Sequence, residues 1–158
     1  MKVEILLVGE GGQGVQTLGD ILAKAAYNDG YWPYSKCGYT PAARGGEVIA
    51  SVIIADETQI YPLVEKADYI FILSRNESLE FFKNKITEKT RIVSVDAAFP
   101  KTIKIKHPII VKNEDKEIPL NIFMLKIIQK IITVPSTKSV EKAIQDILGK
   151  KRVEREKN

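Results

Sequence analysis

The chain has 158 residues, 44% hydrophobic and 28% charged, with 24 Lys and Arg against 20 Asp and Glu for a formal net charge of +4. That length suits one domain with a sizeable core, and the mix is that of an ordinary globular protein. Its basic residues are spread along the chain, which argues against nucleic acid as a partner, and no apolar run approaches the roughly 20 residues of a membrane helix. The first strand begins at Lys2 or Val3, which leaves no room for a signal peptide, so a cytoplasmic protein is expected. One cysteine, Cys37, excludes an internal disulfide and an iron–sulfur cluster held by this chain alone, which needs about four thiolates. One histidine, His107, excludes a His-rich zinc site.

Lys2 to Val8 is a nearly continuous apolar run ending in glycines, the pattern of a strand buried on both faces of a parallel sheet. Val15 to Asn28 places apolar residues at 15, 18, 21, 22, 25 and 26, one face of a helix, with Gly30 as its C-terminal cap. Tyr31 to Lys36 is a less regular strand, and Thr40 to Gly46 reads as a cap, one helical turn and a glycine stop. Val48 to Ala55 and Tyr69 to Leu73 are further strands. Ser74-Arg75-Asn76-Glu77 has the form of a capping box, with Ser74 as cap of a helix reaching about Lys85. Ile92 to Val95 gives another strand, and Thr102 to Ile105 or Ile109 to Val111 a shorter one. Pro119 to Ile132 and Ser136 to Leu148 predict two helices, the second capped by Ser136 or Ser139 and stopped by Gly149. The expected fold is a single α/β Rossmann-like doubly wound domain over residues 1–149, its mostly parallel sheet covered by helices on both faces. Residues 150–158 form a charged tail, read as a frayed helix end.

Between the first strand and the first helix lies Gly9-Glu10-Gly11-Gly12-Gln13-Gly14, a G-x-G-x-x-G loop in the context that motif requires. Glycines let the chain turn tightly and bring backbone N–H groups to a phosphate, and the helix dipole adds to the attraction. The alternative is a tight turn that holds no ligand. NAD binding calls for an acid about 20 residues on, at the end of the second strand. Tyr31 to Cys37 holds none, so NAD is disfavoured, although Lys36 leaves NADP open; no Gly-Lys-Ser/Thr follows to make a Walker loop.

A second constellation, Tyr39-Thr40-Pro41-Ala42-Ala43-Arg44-Gly45-Gly46, places an arginine before two glycines and suits an anion contact, or else a structural ion pair. Cys37 reads as a small buried hydrophobe, and His107 has no catalytic context. Asp96 faces the ligand edge of the sheet or caps a turn. Tyr31, Trp32 and Tyr34 stack on a base or, better, pack in the core. No self-sufficient catalytic set is present.

Gly9 to Gly19, then Tyr39-Thr40-Pro41 with Arg44-Gly45-Gly46, the Ala67-Asp68 pair and Asn121 resemble the gamma subunit of 2-oxoacid:ferredoxin oxidoreductases, over roughly residues 3 to 132. The resemblance implies decarboxylation of a 2-oxoacid such as pyruvate or 2-oxoglutarate on thiamine diphosphate. Electrons then leave through iron–sulfur clusters to ferredoxin, and the acyl group passes to coenzyme A. Thiamine diphosphate, Mg and the clusters would belong to alpha, beta and ferredoxin-like delta subunits, and the gamma subunit would contribute coenzyme A binding and assembly. Carried onto this chain, Gly9, Gly11, Gly12, Gln13 and Gly14 would cradle the phosphates of coenzyme A, with Thr17 adding a hydroxyl. Thr40, Arg44, Gly45 and Gly46 would line the opposite wall. None of these is a catalytic residue, and no metal ligand is expected. The Arg-Gly-Gly form looks more like the 2-oxoglutarate, branched 2-oxoacid and indolepyruvate branches than the pyruvate branch. The readings that compete are a stand-alone NADP or flavin oxidoreductase and a structural subunit that binds no ligand.

Overall fold

The computed structural model describes residues 1–39, 46–101 and 103–157, with side chains as far as Lys150. Apolar residues alternate between the two faces of β1 (Lys2–Glu10): Ile5 and Leu7 point one way, Leu6 and Val8 the other, and all four are fully buried. That double burial is why the run reads as continuous rather than alternating. β1 sits in the middle of a six-stranded sheet ordered β2-β3-β1-β4-β5-β6. The other strands are β2 (Trp32–Tyr39), β3 (Glu47–Ala55), β4 (Tyr69–Ile72), β5 (Arg91–Val95) and β6 (Ile109–Val111).

β1, β4, β5 and β6 are parallel neighbours, whereas β3 runs antiparallel to both β1 and β2. The sheet is mostly parallel, as expected, with one reversed strand next to its centre. Of the two weaker strand candidates near residue 105, Ile109–Val111 forms β6 and 103–105 does not pair; Thr102 lies outside the described residues.

The two faces are covered unequally. α1 (Val15–Asn28), α2 (Leu120–Ile131) and α3 (Thr137–Lys157) all bury their apolar residues in one cluster, with Leu18, Ile21, Met124, Leu125 and Val140 against Ile5, Leu7 and Ile54. The other face carries the 3-10 helix Glu77–Lys85, which contributes Leu79 and Phe82, together with irregular chain around Val64 and Ala67. The helix expected after Ser74 is thus a 3-10 helix, and its N-cap residue, Asn76, makes no side-chain capping bond. Glu47 reaches across from the start of β3, accepting from the backbone N–H groups of Glu77 and Ser78 and from the Ser78 hydroxyl. Ser74 instead donates to Gln13 Oε1 at 2.9 Å.

α1 has the bounds its spacing predicts, and its end has a clear cause. Gly30, at φ 87, lets the Gly30 N–H reach Tyr27 O at 3.0 Å and the Tyr31 N–H reach Ala26 O at 3.0 Å, a Schellman closure. Tyr31 and Tyr34 pack on the core, while Trp32 is exposed. Asp68, of the Ala67-Asp68 pair, clamps three strands: its N–H donates to Glu4 O, its carboxylate accepts from the Glu4 N–H, and its carbonyl accepts from the Arg91 N–H. α3 runs through Gly149 to Lys157, so Gly149 is not a stop; a helix tolerates one glycine at a cost of about 1 kcal/mol. Among the described residues, no helix is long and apolar enough to cross a membrane.

α3 starts at Ser136, whose hydroxyl accepts the Ser139 N–H at 3.3 Å. Asp29, at the end of α1, joins this cap: it accepts from the Ser136 N–H and from the hydroxyls of Ser136 and Ser139. Partial burial pushes the Asp29 carboxyl up, but these three donors outweigh it and hold its pKa below the ordinary 3.8. A depressed folded value means stability that is present above the unfolded pKa and lost as pH falls through the folded one. Asp29→Asn should therefore lower the unfolding free energy by about 1 kcal/mol at neutral pH. In urea melts followed by circular dichroism, the gap from the parent chain should close as pH drops below the carboxylate range.

Candidate functional site

The glycine loop is held from three sides. In the ladder, Gly9 lies opposite Val48 and Glu10 opposite Glu47, so the end of β1 meets the beginning of β3. The Gly11 N–H donates to Gly46 O at 2.7 Å, which joins the first glycine segment directly to the second. Asn76, fully buried beneath them, donates from Nδ2 to Gly9 O at 2.9 Å and to Val48 O at 3.1 Å. Within the loop, the Gln13 N–H donates to Glu10 O, and Gln13 Oε1 accepts the Glu10 N–H at 2.8 Å.

Gly12 and Gly14 sit at φ 87 and 77, the left-handed region that favours glycine. Their surroundings differ. Among the described residues, a Cβ on Gly12 would meet nothing within 4 Å. A Cβ on Gly14 would run into Asn121, whose Cγ would be 2.8 Å away. Gly14 is also the N-cap of α1 and, being glycine, brings no capping side chain of its own. The first intrahelical bond runs from the Leu18 N–H to Gly14 O at 2.9 Å. A helix start on a bare glycine backbone suits an anionic group.

A cleft of about 260 Å³ opens there, lined among others by Gly11, Gly12, Gly14, Gln16, Thr17 and Tyr39. Among the described residues no basic side chain lines it. Tyr39 ends β2 at the cleft and donates its hydroxyl to Gln16 Oε1. The chain returns at Gly46, on the Gly11 N–H; Thr40, Arg44 and Gly45, and the helical turn expected there, lie outside the described residues. Burial pushes the Cys37 thiol up, with Asp20 adding to the effect against an opposing Tyr39 hydrogen bond. The thiol therefore stays protonated at neutral pH and is no nucleophile. Its hydrogen bond with Cys37, then burial, raises the Tyr39 hydroxyl too, so that group acts as a neutral donor.

The reversed β3 also gives a physical account of the missing NAD acid. In a dinucleotide fold the second parallel strand ends beside the loop and presents a carboxylate to the ribose. Here the strand beside β1 begins at the loop, and the acid it brings, Glu47, is committed to the 3-10 helix start. Asp96 stays out of the site as well: its Oδ1 accepts from the Asn113 N–H at 3.4 Å and its Oδ2 lies 3.5 Å from Lys116, so it ties a turn. A larger cavity of about 690 Å³, lined by Lys89, Arg91, Lys104 and Lys106, lies at the amino end of β5, the opposite end of the parallel strands from the glycine loop. Sequence reading missed Asn76 as an anchor, because one buried amide after a serine looks like a cap.

The two left-handed glycines separate backbone strain from collision. Gly12→Ala should cost about 1 kcal/mol from φ alone, and Gly14→Ala more, since the new Cβ also strikes Asn121. Adding Asn121→Ala should recover the collision part in Gly14→Ala but change nothing in Gly12→Ala, measured by denaturant unfolding.

The profile of the family described as pyruvate ferredoxin/flavodoxin oxidoreductase matches residues 4–158. The chain is 34% identical over 162 residues to the 2-oxoglutarate synthase subunit KorC of Methanocaldococcus jannaschii, covering 95% of this chain and 86% of that protein. In fold it is similar to the gamma subunit of a keto/oxoacid ferredoxin oxidoreductase from Geobacter sulfurreducens, at a TM-score of 0.66 and 23% identity, covering 92% of this chain and 85% of the other. It is also similar to the 2-oxoglutarate:ferredoxin oxidoreductase of Magnetococcus marinus, solved with 2-oxoglutarate, coenzyme A and succinyl-CoA bound. There the TM-score is 0.72 and the identity 21%, and the match takes in 95% of this chain but only 27% of that one. With the glycine loop, the Gly46 contact and a profile match over nearly its whole length, the chain belongs to the pyruvate ferredoxin/flavodoxin oxidoreductase family, as a gamma-type subunit of a 2-oxoacid:ferredoxin oxidoreductase.

Proposed function

We propose that this chain supplies the coenzyme A site of its complex. The complex turns a 2-oxoacid and coenzyme A into an acyl-CoA and carbon dioxide, and the electron pair released passes to ferredoxin. The observation that carries the reading is the start of α1 on Gly14, which brings no capping side chain, behind Gly12, whose Cβ position is clear of every described residue. It suits a diphosphate through both N–H donors and the helix dipole. The coenzyme A and succinyl-CoA bound in the Magnetococcus marinus protein, whose fold is similar, support the same ligand class.

Coenzyme A, when bound, supplies the thiol that takes the acyl group as a thioester. Gly12 and Gly14 present backbone donors to its phosphates, and Thr17 adds a hydroxyl in the first turn of α1. The family resemblance assigns Thr40, Arg44, Gly45 and Gly46 to the same ligand, and Arg44 would bring it a positive charge, which no described side chain lining the cleft carries. Gly9, Gly11 and Gln13 act one step back: their hydrogen bonds and close packing hold the loop in its open form. None of these groups is an acid, base or nucleophile toward the 2-oxoacid. With one cysteine, this chain leaves the clusters to other subunits. The partners are alpha and beta chains carrying thiamine diphosphate and Mg, and a ferredoxin-like delta chain, in the cytoplasm. The relative named for 2-oxoglutarate favours that acid as substrate.

In the assembled complex, Gly12→Val and, separately, Arg44→Gln should each raise the KM for coenzyme A about tenfold or more. That is the scale of one lost charge-assisted hydrogen bond, about 1.5–3 kcal/mol. The KM for the 2-oxoacid should stay put. Unchanged coenzyme A affinity in both variants would leave the loop a structural turn.

A further inference from the structure

At the end of the sheet opposite the glycine loop, the cavity of about 690 Å³ is built from two segments that the fold brings together. One is the turn from Thr87 to Thr90, which leads into β5 at Arg91. Its frame is fixed by its own hydroxyls. Thr90 Oγ1 accepts from the Thr87 N–H at 2.9 Å and donates to Ala67 O at 2.7 Å, and Thr87 Oγ1 accepts from the Lys89 N–H at 3.2 Å. The Arg91 guanidinium lies over the Tyr69 ring, 6.0 Å from its centroid, which gives it a support. The other segment, 103–107, joins no strand, and its residues alternate. Ile103 and Ile105 pack on the core, so Lys104 and Lys106 are left exposed.

Four cations, Lys89, Arg91, Lys104 and Lys106, thus line one concavity, and among the described residues the acid beside them is Glu88. That is a local excess of three positive charges, in a chain whose whole excess is four. Among the described residues none of the four cations is in an ion pair. Scattered surface lysines stay solvated, but like charges gathered in a cleft repel one another and focus a field that draws in an anion. Ile86, Ile92, Ile105 and Ile109 supply apolar wall beside them, and the volume is that of a small-molecule site.

We propose that this cavity binds a nucleoside di- or triphosphate, with its phosphates among the four cations and its organic part against the isoleucines. The site is separate from the one proposed for coenzyme A. It lies at the amino end of β5, whereas the glycine loop follows the carboxyl end of β1. In open α/β sheets the reacting ligand sits at the carboxyl ends of the strands, so a nucleotide held here lies outside the reacting site.

The test is calorimetric titration of the full chain at low ionic strength. ATP should bind at one site per chain, and inorganic triphosphate about tenfold more weakly, because it gains nothing from the apolar wall. Lys104→Gln combined with Lys106→Gln, and separately Arg91→Gln, should keep the parent circular dichroism and melting temperature, since all three positions are exposed. Each should raise the Kd for ATP about tenfold or more, the loss of a charge-assisted contact. Lys126→Gln, exposed on α2, should bind as the parent does. No ATP binding by the parent chain would overturn the proposal, as would binding that both cleft variants leave unchanged or that Lys126→Gln weakens equally. Displacement of ATP by coenzyme A would also overturn it, by placing the nucleotide in the glycine loop. Triphosphate bound as tightly as ATP would overturn the nucleotide assignment in favour of a bare anion site. An oligonucleotide that outcompetes ATP would overturn it by making this end of the sheet a nucleic-acid surface. The coenzyme A reading is tested by its own KM and stands or falls apart from these outcomes.

Discussion

Asn76 sits fully buried beneath the point where β1 ends and β3 begins, and its one amide nitrogen holds the carbonyls of Gly9 and Val48 together. Everything at the site depends on that junction. With the two strand ends fixed, the Gly11 N–H falls on Gly46 O, which ties together two positions more than thirty apart in the chain. Among the described residues, the side-chain oxygen of Asn76 is buried without a hydrogen-bond partner. Such a group costs stability, and a site that keeps it is using the donor end for something apolar packing cannot supply. Here that is the register between a loop that must stay open and a strand that must stay closed.

The loop itself divides its labour. Gln13 and Ser74 tie its inner side, Gly9 leaves room for Gln13 and Val15, and Gly14 leaves room for Asn121. A Cβ at Gly12, by contrast, would meet no described residue within 4 Å, which fits the access to a ligand proposed for it. Glycines that look equivalent as letters thus do different physical work: two serve packing, and one serves access. The Gly11 N–H, bonded to Gly46 O, joins the two glycine segments.

Much of this was legible in the sequence. α1 appears with the bounds its apolar spacing predicts, the closure at Gly30 follows from a single glycine, and β1, β3, β4 and β5 stand where the apolar runs lie. The direction of β3 was not legible, because a strand buried on both faces shows the same apolar run whichever way it points. The role of Glu47 was hidden for a related reason: its partners are thirty residues away, and only the sheet brings them together. Ser74 and Asn76 form a capping pattern by spacing, but tertiary contacts to Gln13, Gly9 and Val48 take precedence over the local bond. Gly149 illustrates the opposite error, a local stop signal that α3 runs through. Site residues in the loop were legible as a motif, and their separate jobs only as geometry.

The central claim, that the glycine loop is the coenzyme A phosphate cradle, is tested most directly by hydrogen–deuterium exchange of the assembled complex with and without coenzyme A. Amides in the first turn of a helix have no intrahelical acceptor, and a ligand that accepts from them slows their exchange. Slower exchange across residues 12 to 17 on adding coenzyme A is the predicted result. Unchanged exchange there, with protection instead around Lys104 and His107 at the opposite end of the sheet, would contradict it.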